Sequence, residues 1–178
     1  MKTIILFILT INLSMCMSCC SKIFPDEKLS MQRKDYVGNE LRIDGYYYRQ
    51  EITEIYSRTM VMFLYRNGIV LSGGNFSTID LNIVEEEMPN RYNLLKKNKN
   101  GWGIFCINGN EIQCEQWVES PSGASLSIYR RSGYIENDIT IHFTESYYSG
   151  RNETKQINEV WHFKQFSSKP DSTNVFIE

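Results

Sequence analysis

Between Leu41 and Phe166, short apolar segments alternate with turn residues at intervals of about ten residues. Asn67-Gly68 and Asn108-Gly109 each separate two apolar runs, and an Asn-Gly pair in that position is the strongest short-range indication of a β-hairpin. About eight to nine short strands joined by tight turns are typical of an antiparallel sandwich or barrel. Because neighbouring strands usually pair in space and closure removes exposed sheet edges, the pattern favours an all-β, antiparallel up-and-down barrel.

The individual strands are assigned from period-two alternation or from apolar runs bounded by turn residues. The 11 Tyr, 9 Phe and 3 Trp support the assignment, because aromatic side chains favour half-buried sheet surfaces. We expect strands over residues 41–50, 59–65, 69–71, 101–107, 111–118, 126–131, 134–135, 139–144 and 159–166. Ser132-Gly133 is expected to separate two of these strands, and the polar segment from Tyr147 to Ile157 is expected to form a loop.

Residues 78–88 favour one short helix inserted between strands. Ser77-Thr78-Ile79-Asp80 resembles a capping box, and Pro89 is expected to end the helix. The apolar residues at helical spacing are Leu81, Val84 and Met88. Because Ile79, Leu81 and Ile83 also alternate, a strand remains an alternative, but a helix would cover the strands that are apolar on both faces.

The first twenty residues have the three-part shape of a secretory leader. Lys2 precedes an apolar run from Ile4 to Leu13, and small residues and cysteines follow that run. The apolar run is too short to span a bilayer as a permanent helix. The leader therefore predicts export of the protein.

The cysteines at the end of the leader resemble the processing site of bacterial lipoproteins, in which a cysteine after a small residue is acylated. In order of preference, the candidates are Cys19, Cys16 and Cys20. Cys19 comes first because it follows the small residue Ser18, and an ordinary cleaved signal peptide is the alternative. We expect a lipoprotein signal peptide over residues 1–18, a flexible tether over 19–40 and one domain over 41–178.

Several motifs on the expected strands suggest a family. They are Gly45-Tyr46-Tyr47, Trp102-Gly103-Ile104-Phe105, the hairpin from Ile107 to Ile112, Trp117, and Trp161-His162-Phe163 followed by Lys169 to Asn174. Together with the leader, these motifs resemble the lipocalin-like, calycin-type small barrels found in lipoproteins of Gram-negative gut bacteria. The resemblance implies no catalytic residues, and eight-stranded barrels of this size either enclose one small ligand or are filled by side chains.

The composition and motifs exclude several classes of function. Without residues 1–18, the 19 basic residues become 18 through the loss of Lys2, and they face 21 acidic ones, a net charge of −3. The densest basic run, Lys96-Lys97-Asn98-Lys99, is interpreted as a solvated loop, so we expect no nucleic-acid partner. The sequence contains no Gly-X-Ser-X-Gly, His-Glu-X-X-His or glycine-rich phosphate motif, and we expect neither an enzyme nor a cofactor. His142 and His162 lack an evident third ligand, so we expect no metal site.

Two smaller predictions concern the remaining cysteines and one serine. If Asn108-Gly109-Asn110 is a three-residue loop, Cys106 and Cys114 lie diagonally on one face, where most pairs are too distant for a disulfide. We expect two buried thiols, with a disulfide as the alternative. Asp171-Ser172-Thr173 resembles a motif that some gut bacteria O-glycosylate in exported proteins, which makes Ser172 a possible site, and a simple turn is the alternative.

These observations predict a membrane-anchored, non-catalytic binding module of the cell envelope, on the periplasmic or surface face of the outer membrane. Its ligand would be a small apolar or amphipathic molecule. Residue type and strand position give the candidate lining residues as Tyr47, Phe105, Trp117, Tyr129, Trp161 and Phe163. The alternative is a solid barrel that binds an envelope protein or a glycan through its surface. A cavity inside the barrel would distinguish the two functions.

Overall fold

A computed structural model describes residues 24–178 of the chain. The predicted signal peptide and the candidate lipidation sites Cys16, Cys19 and Cys20 lie outside these residues. Eight antiparallel strands form a closed barrel in which each strand pairs with the next and the last pairs with the first. The strands are β1 (Gly45–Ile52), β2 (Ser57–Leu64), β3 (Ile69–Phe76), β4 (Trp102–Asn108), β5 (Glu111–Glu119), β6 (Leu126–Asn137), β7 (Thr140–Tyr148) and β8 (Glu153–Gln165). The prediction of an all-β up-and-down barrel is confirmed.

Helix α1 (Leu81–Lys97) connects β3 to β4 and packs against the outer face of the barrel. The helix begins after Asp80 rather than after Ser77, because the Asp80 carboxylate accepts the backbone N–H of Asn82 at 2.8 Å. Among residues 24–178, no helix is long and apolar enough to span a membrane.

The helix continues through Pro89 to Lys97, contrary to the prediction that it ends at the proline. Pro89 removes one internal hydrogen bond of the helix. Met88, just before it, is fully buried, and the Tyr92 ring after it packs edge-on against Phe63 at 6.2 Å between ring centroids. Packing on both sides of the proline therefore outweighs the lost hydrogen bond.

Strands β6, β7 and β8 are longer than the sequence predicts. Most of the segment from Tyr147 to Ile157 belongs to β7 and β8, which are joined by a short 3-10 turn (Ser149–Arg151). Strand β6 runs through Ser132 and Gly133, with a shift of register between these two residues. A Cβ atom at Gly133 would lie 2.0 Å from the carbonyl oxygen of His142, so glycine is needed for the strands to approach this closely.

The β4–β5 hairpin has a two-residue turn, Gly109-Asn110, because Asn108 pairs with Glu111. Gly109 has a φ of 63°, as expected at the first central position of a type II′ turn. The predicted loop was three residues long, and the difference of one residue places Cys106 and Cys114 on opposite faces of the sheet. Both side chains are free thiols in the structure, but only Cys114 is buried as expected, and Cys106 is half-buried. Cys114 points into the barrel, where burial raises the pKa of its thiol to about 12.

The barrel has a closed end and an open mouth. The odd-numbered strands begin at the closed end, and the even-numbered strands begin at the mouth. Apolar side chains fill the interior at the closed end; they include Tyr36, Leu41, Tyr47, Phe105, Ile112, Ile135 and Ile141. A second apolar layer lies outside the barrel, beneath α1 and the two terminal segments; it includes Tyr46, Val61, Phe63, Leu71, Val84, Trp117 and Ile128. The strands that are apolar on both faces are thus buried on both faces.

The described part of the predicted tether, residues 24–40, is packed along the barrel from the mouth to the closed end. Near the mouth, the Glu27 N–H donates to the Leu126 carbonyl at 2.9 Å. At the closed end, Tyr36 is buried and its N–H donates to the Arg66 carbonyl at 2.7 Å. For the described residues, the folded domain therefore begins before the predicted boundary at Leu41.

Candidate functional site

The interior of the barrel is filled at the closed end. The rings of Tyr36 and Phe105 pack with centroids 5.8 Å apart, and the Leu41 N–H donates to the Tyr36 hydroxyl at 2.7 Å. The Tyr47 hydroxyl donates to the Arg42 carbonyl at 2.9 Å, and burial raises the pKa of Tyr47 well above its usual range. Residues 36–44 therefore form a plug that is packed and hydrogen-bonded at the closed end.

Toward the mouth, the interior contains a cavity of about 250 Å³. Its walls combine apolar and polar side chains, including Met62, Gln116, Tyr129, Arg131, Glu159 and Trp161. A second hollow of about 450 Å³ shares Val118 and Tyr129 with this cavity and opens nearer to the mouth. The two hollows together give the barrel an interior site that is accessible from the mouth.

Arg131 is the central polar residue of the cavity. Its Cα pairs with those of Cys114 on β5 and Ser146 on β7, and its side chain points inward and is 8% exposed. The guanidinium Nη2 donates to the Gln116 Oε1 at 2.8 Å. The guanidinium carbon lies 4.9 Å from the ring centroid of Trp161 and 4.9 Å from that of Phe143. Such cation–π contacts offset part of the cost of burying the charge.

Glu159 links two arginines inside the barrel. Its Oε2 lies 3.7 Å from Nη1 of Arg131, and its Oε1 lies 3.5 Å from Nη2 of Arg49. The indole N–H of Trp161 donates to Oε2 at 3.3 Å. The Nε atom of Arg49 is buried and has no hydrogen-bond partner among the described residues.

A separate ion pair lies nearer to the mouth. Arg58 donates to Oε2 of Glu51 through two nitrogens, at 2.8 and 2.5 Å. This contact, followed by a hydrogen bond from Tyr56, lowers the pKa of the Glu51 carboxyl. Glu51 is therefore ionised and engaged mainly by Arg58, because Arg49 lies 3.8 Å from it.

The structure distributes the six predicted lining residues over three places. Trp161 and Tyr129 line the cavity, whereas Tyr47, Phe105 and Phe163 belong to the packing deeper in the interior. Trp117 lies on the outer face, where its indole N–H donates to the Glu27 carbonyl at 2.7 Å. The period-two alternation of β5 explains the difference, because Gln116 and Val118 are the residues that line the cavity.

The polar residues of the cavity were not among the sequence predictions. Arg131 and Glu159 lie on strands, where a charged side chain usually marks the solvent-facing side. The sequence does contain a signal, because Glu159 shares the period-two positions of Trp161 and Phe163. This pattern places the Glu159 carboxylate on the same face of β8 as the two aromatic residues, and the structure shows that this face points inward.

The two histidines lie on the outer face, at diagonal positions of the adjacent strands β7 and β8. His142 hydrogen-bonds the Tyr134 hydroxyl at 2.8 Å through Nδ1 and the Asn158 Oδ1 at 2.6 Å through Nε2. His162 packs against the ring of Tyr48. In the part of the chain that the structure describes, no three His, Cys, Asp or Glu side chains are grouped as metal ligands.

Ser172 lies in the C-terminal segment after β8. Its hydroxyl accepts a hydrogen bond from Nδ2 of Asn67 at 3.0 Å, and the side chain is half-buried. Asp171, next to it, is held by the Lys96 amine at 2.7 Å, which lowers the pKa of the Asp171 carboxyl to about 2. This segment is attached to the body through both side chains, and glycosylation at Ser172 stays a prediction.

Comparison of the chain with protein-family models, with curated proteins and with solved structures found no match.

Proposed function

We propose that this protein is a lipid-anchored binding module that holds a small amphipathic molecule in the mouth of its barrel. The main support for the proposal is the difference in packing between the two ends of the barrel interior. The closed end is packed with apolar side chains, whereas the half near the mouth contains the cavity of about 250 Å³ and its wider entrance. A solid interaction module would need no such cavity.

The walls of the cavity support an amphipathic ligand. Met60, Met62 and Trp161 offer apolar contacts, and methionine adapts readily to the shape of a bound group. In the same cavity, Gln116 and Arg131 provide polar hydrogen-bond donors. A mostly apolar pocket with a few fixed polar groups is the usual composition of a small-molecule site.

The proposed activity is binding without catalysis. The polar groups of the cavity contact one another, and neither histidine of the chain is among the residues that line it. These contacts fix the side chains of Arg131 and Gln116 in place, as expected for a preformed binding site.

The proposed lipid anchor at Cys19 would join the domain at the mouth. Asp26 pairs with the Lys99 amine at 2.9 Å and accepts the Leu126 N–H at 3.0 Å, so the described chain begins beside the mouth. Cys19 precedes Phe24 by five residues, which span at most about 18 Å when extended. The mouth, with Ile55 93% exposed in its β1–β2 turn, would then lie close to the membrane surface.

A neutral fluorescent probe tests the proposed cavity. N-phenyl-naphthylamine is apolar and fluoresces when it leaves water, so we expect saturable binding to the wild-type domain. Val118 lies where the two hollows meet, and Val118→Trp should fill that space and weaken binding about tenfold or more. Glu119→Trp places the same side chain on an exposed neighbouring residue and should bind like wild type.

Circular dichroism and thermal unfolding would establish that both variants are folded. The proposal is contradicted if the wild-type domain shows no saturable binding, or if Val118→Trp binds the probe as tightly as Glu119→Trp does.

A further inference from the structure

The charged groups inside the mouth do not balance. Arg49, Arg58 and Arg131 carry three positive charges, whereas Glu51 and Glu159 carry two negative ones. Because Arg58 engages Glu51 at 2.5 to 2.8 Å, Glu159 is the carboxylate shared by the remaining two arginines. In the outer hollow, Lys155 pairs with Glu153 at 3.2 Å and leaves this sum unchanged, whereas Arg151 adds a further positive charge.

The contacts of Glu159 are also longer than strong ion pairs. Its oxygens lie 3.5 Å from Arg49 and 3.7 Å from Arg131, whereas charge-assisted hydrogen bonds between such groups measure about 2.7–2.9 Å. An arginine has five N–H donors. The Nε of Arg49, which is buried and has no hydrogen-bond partner among residues 24–178, is consistent with spare donor capacity at this point.

The surroundings of Arg131 make this surplus charge effective. Its side chain is 8% exposed, so bulk water screens it little. The guanidinium carbon lies over the rings of Trp161 and Phe143, and the guanidinium nitrogens donate to Gln116 and approach Glu159, both of which line the cavity. A guanidinium edge matches the geometry of a carboxylate, sulfonate or phosphate.

We infer that the ligand carries an anionic group, which Arg131 binds from the wall of the mouth cavity and Arg49 binds from beside Glu159 and Met60, two residues that line it. The inference rests on the proposed binding function and specifies its ligand as a small organic oxyanion with an apolar body. The apolar body would contact Met60 and Met62, which line the same cavity. The anionic group would share the two guanidinium groups with Glu159.

Two probes with nearly the same skeleton test this inference. Anilinonaphthalene sulfonate carries one negative charge, and N-phenyl-naphthylamine carries none. We expect the wild-type domain to bind the sulfonate more tightly, by about tenfold or more, because hydrogen bonds to charged groups are the stronger kind. Titrations of both probes at one salt concentration give the two dissociation constants.

Variants identify the side chains responsible for the preference. Arg49→Met and Arg131→Met should each reduce sulfonate binding about tenfold while changing binding of the neutral probe much less. Glu159→Gln should strengthen sulfonate binding, because it removes the competing carboxylate. Arg33→Met removes a positive charge from the exposed N-terminal segment and should leave both constants unchanged.

Arg49 is partly exposed, so its variant remains informative if Arg131→Met does not fold. Equal affinities of the wild-type domain for the two probes would overturn the inference, and so would unchanged sulfonate binding by Arg49→Met. In both cases, saturable binding of the neutral probe would leave the proposed function standing. Failure of both probes to bind would count against the proposed function itself.

Discussion

Lys169 places a charged side chain under the closed end of the barrel. Its amine donates to the carbonyl oxygens of Ile43 at 2.7 Å and Leu64 at 2.5 Å, and it lies 4.3 Å from the ring centroid of Tyr65. Burial lowers the pKa of this amine to about 8, from about 10.4 in an unfolded chain. The C-terminal segment is thus tied to β2 and to the N-terminal plug by a group that titrates near neutral pH.

This titration predicts a pH dependence of stability. Between pH 8 and about 10.4 the unfolded chain holds the Lys169 proton and the folded chain releases it, so stability rises with pH in this window. We expect the free energy of unfolding of wild type to increase relative to that of Lys169→Met by on the order of 2 kcal/mol across the window. Urea unfolding at several pH values measures the difference.

Lys28→Met, at an exposed position of the N-terminal segment, is the matched control and should follow wild type at every pH. A constant difference in stability between wild type and Lys169→Met would show that the amine does not titrate in this range.

At the residue scale, the sequence predicts the aromatic residues of the interior better than its charges. Tyr47, Phe105 and Trp161 lie inside the barrel, as predicted from their residue type and their positions on the strands. Alternation cannot say which face points inward, and a shift of one residue exchanges the faces, as happens between Cys106 and Cys114. Arg131 could not be assigned to the cavity without knowing that face.

The N-terminal segment is the element whose structure differs most from the sequence prediction. The Glu115 carboxylate is fully buried beneath it and accepts the Ser30 N–H at 2.6 Å, the Ser30 hydroxyl at 2.8 Å and the Met31 N–H at 2.8 Å. Arg130 donates to the same carboxylate at 2.7 Å. Burial raises the pKa of Glu115, but the hydrogen bonds from Met31, Arg130 and Ser30 outweigh burial and lower it below its usual value.

Glu115→Gln should therefore release the N-terminal segment. We expect a loss of about 2–3 kcal/mol in the free energy of unfolding, because a buried carboxylate that accepts several hydrogen bonds is neutralised. Trypsin should then cleave at Lys28 or Arg33 in the otherwise folded variant. Mass analysis of timed digests gives the cleavage rates at these sites.

Glu111→Gln, an exposed position on the same strand, is the control and should be digested like wild type. Equal cleavage rates in Glu115→Gln and Glu111→Gln would show that Glu115 does not hold the segment. In wild type, the contribution of Glu115 is present above the ordinary glutamate pKa of about 4.3 and is lost as the pH falls through its lowered folded value.

At the element scale, local patterns locate helices and strands but not their attachments. The sequence pattern predicts that the helix ends at Pro89, whereas α1 continues to Lys97 because Met88 and Tyr92 pack against the barrel. The segment around Ser30 looks like a tether because it is polar. Its contacts are made largely by backbone N–H groups and one distant carboxylate, which leave no trace in the local hydrophobic pattern.

For the whole molecule, the antiparallel order of the strands and their closure follow from turn residues and alternation together with the tendency of sheets to remove exposed edges. The list of expected strands has one strand too many, because residues 126–131 and 134–135 belong to the single strand β6. The division of the interior into a filled half and a hollow half cannot be predicted in this way, because it depends on how the side chains of eight strands pack against one another. Tyr36 closes one end from outside the predicted domain, and the polar side chains of Arg131 and Glu159 line the cavity toward the other end.

The most direct test of the binding function is native mass spectrometry of the full-length protein, extracted gently from the membranes of its own host. We expect one small acidic amphipathic molecule bound to the wild-type protein and its loss from Val118→Trp, with Glu119→Trp retaining it. Wild-type protein that carries no bound molecule, or Val118→Trp carrying the same molecule in the same amount, would contradict the account.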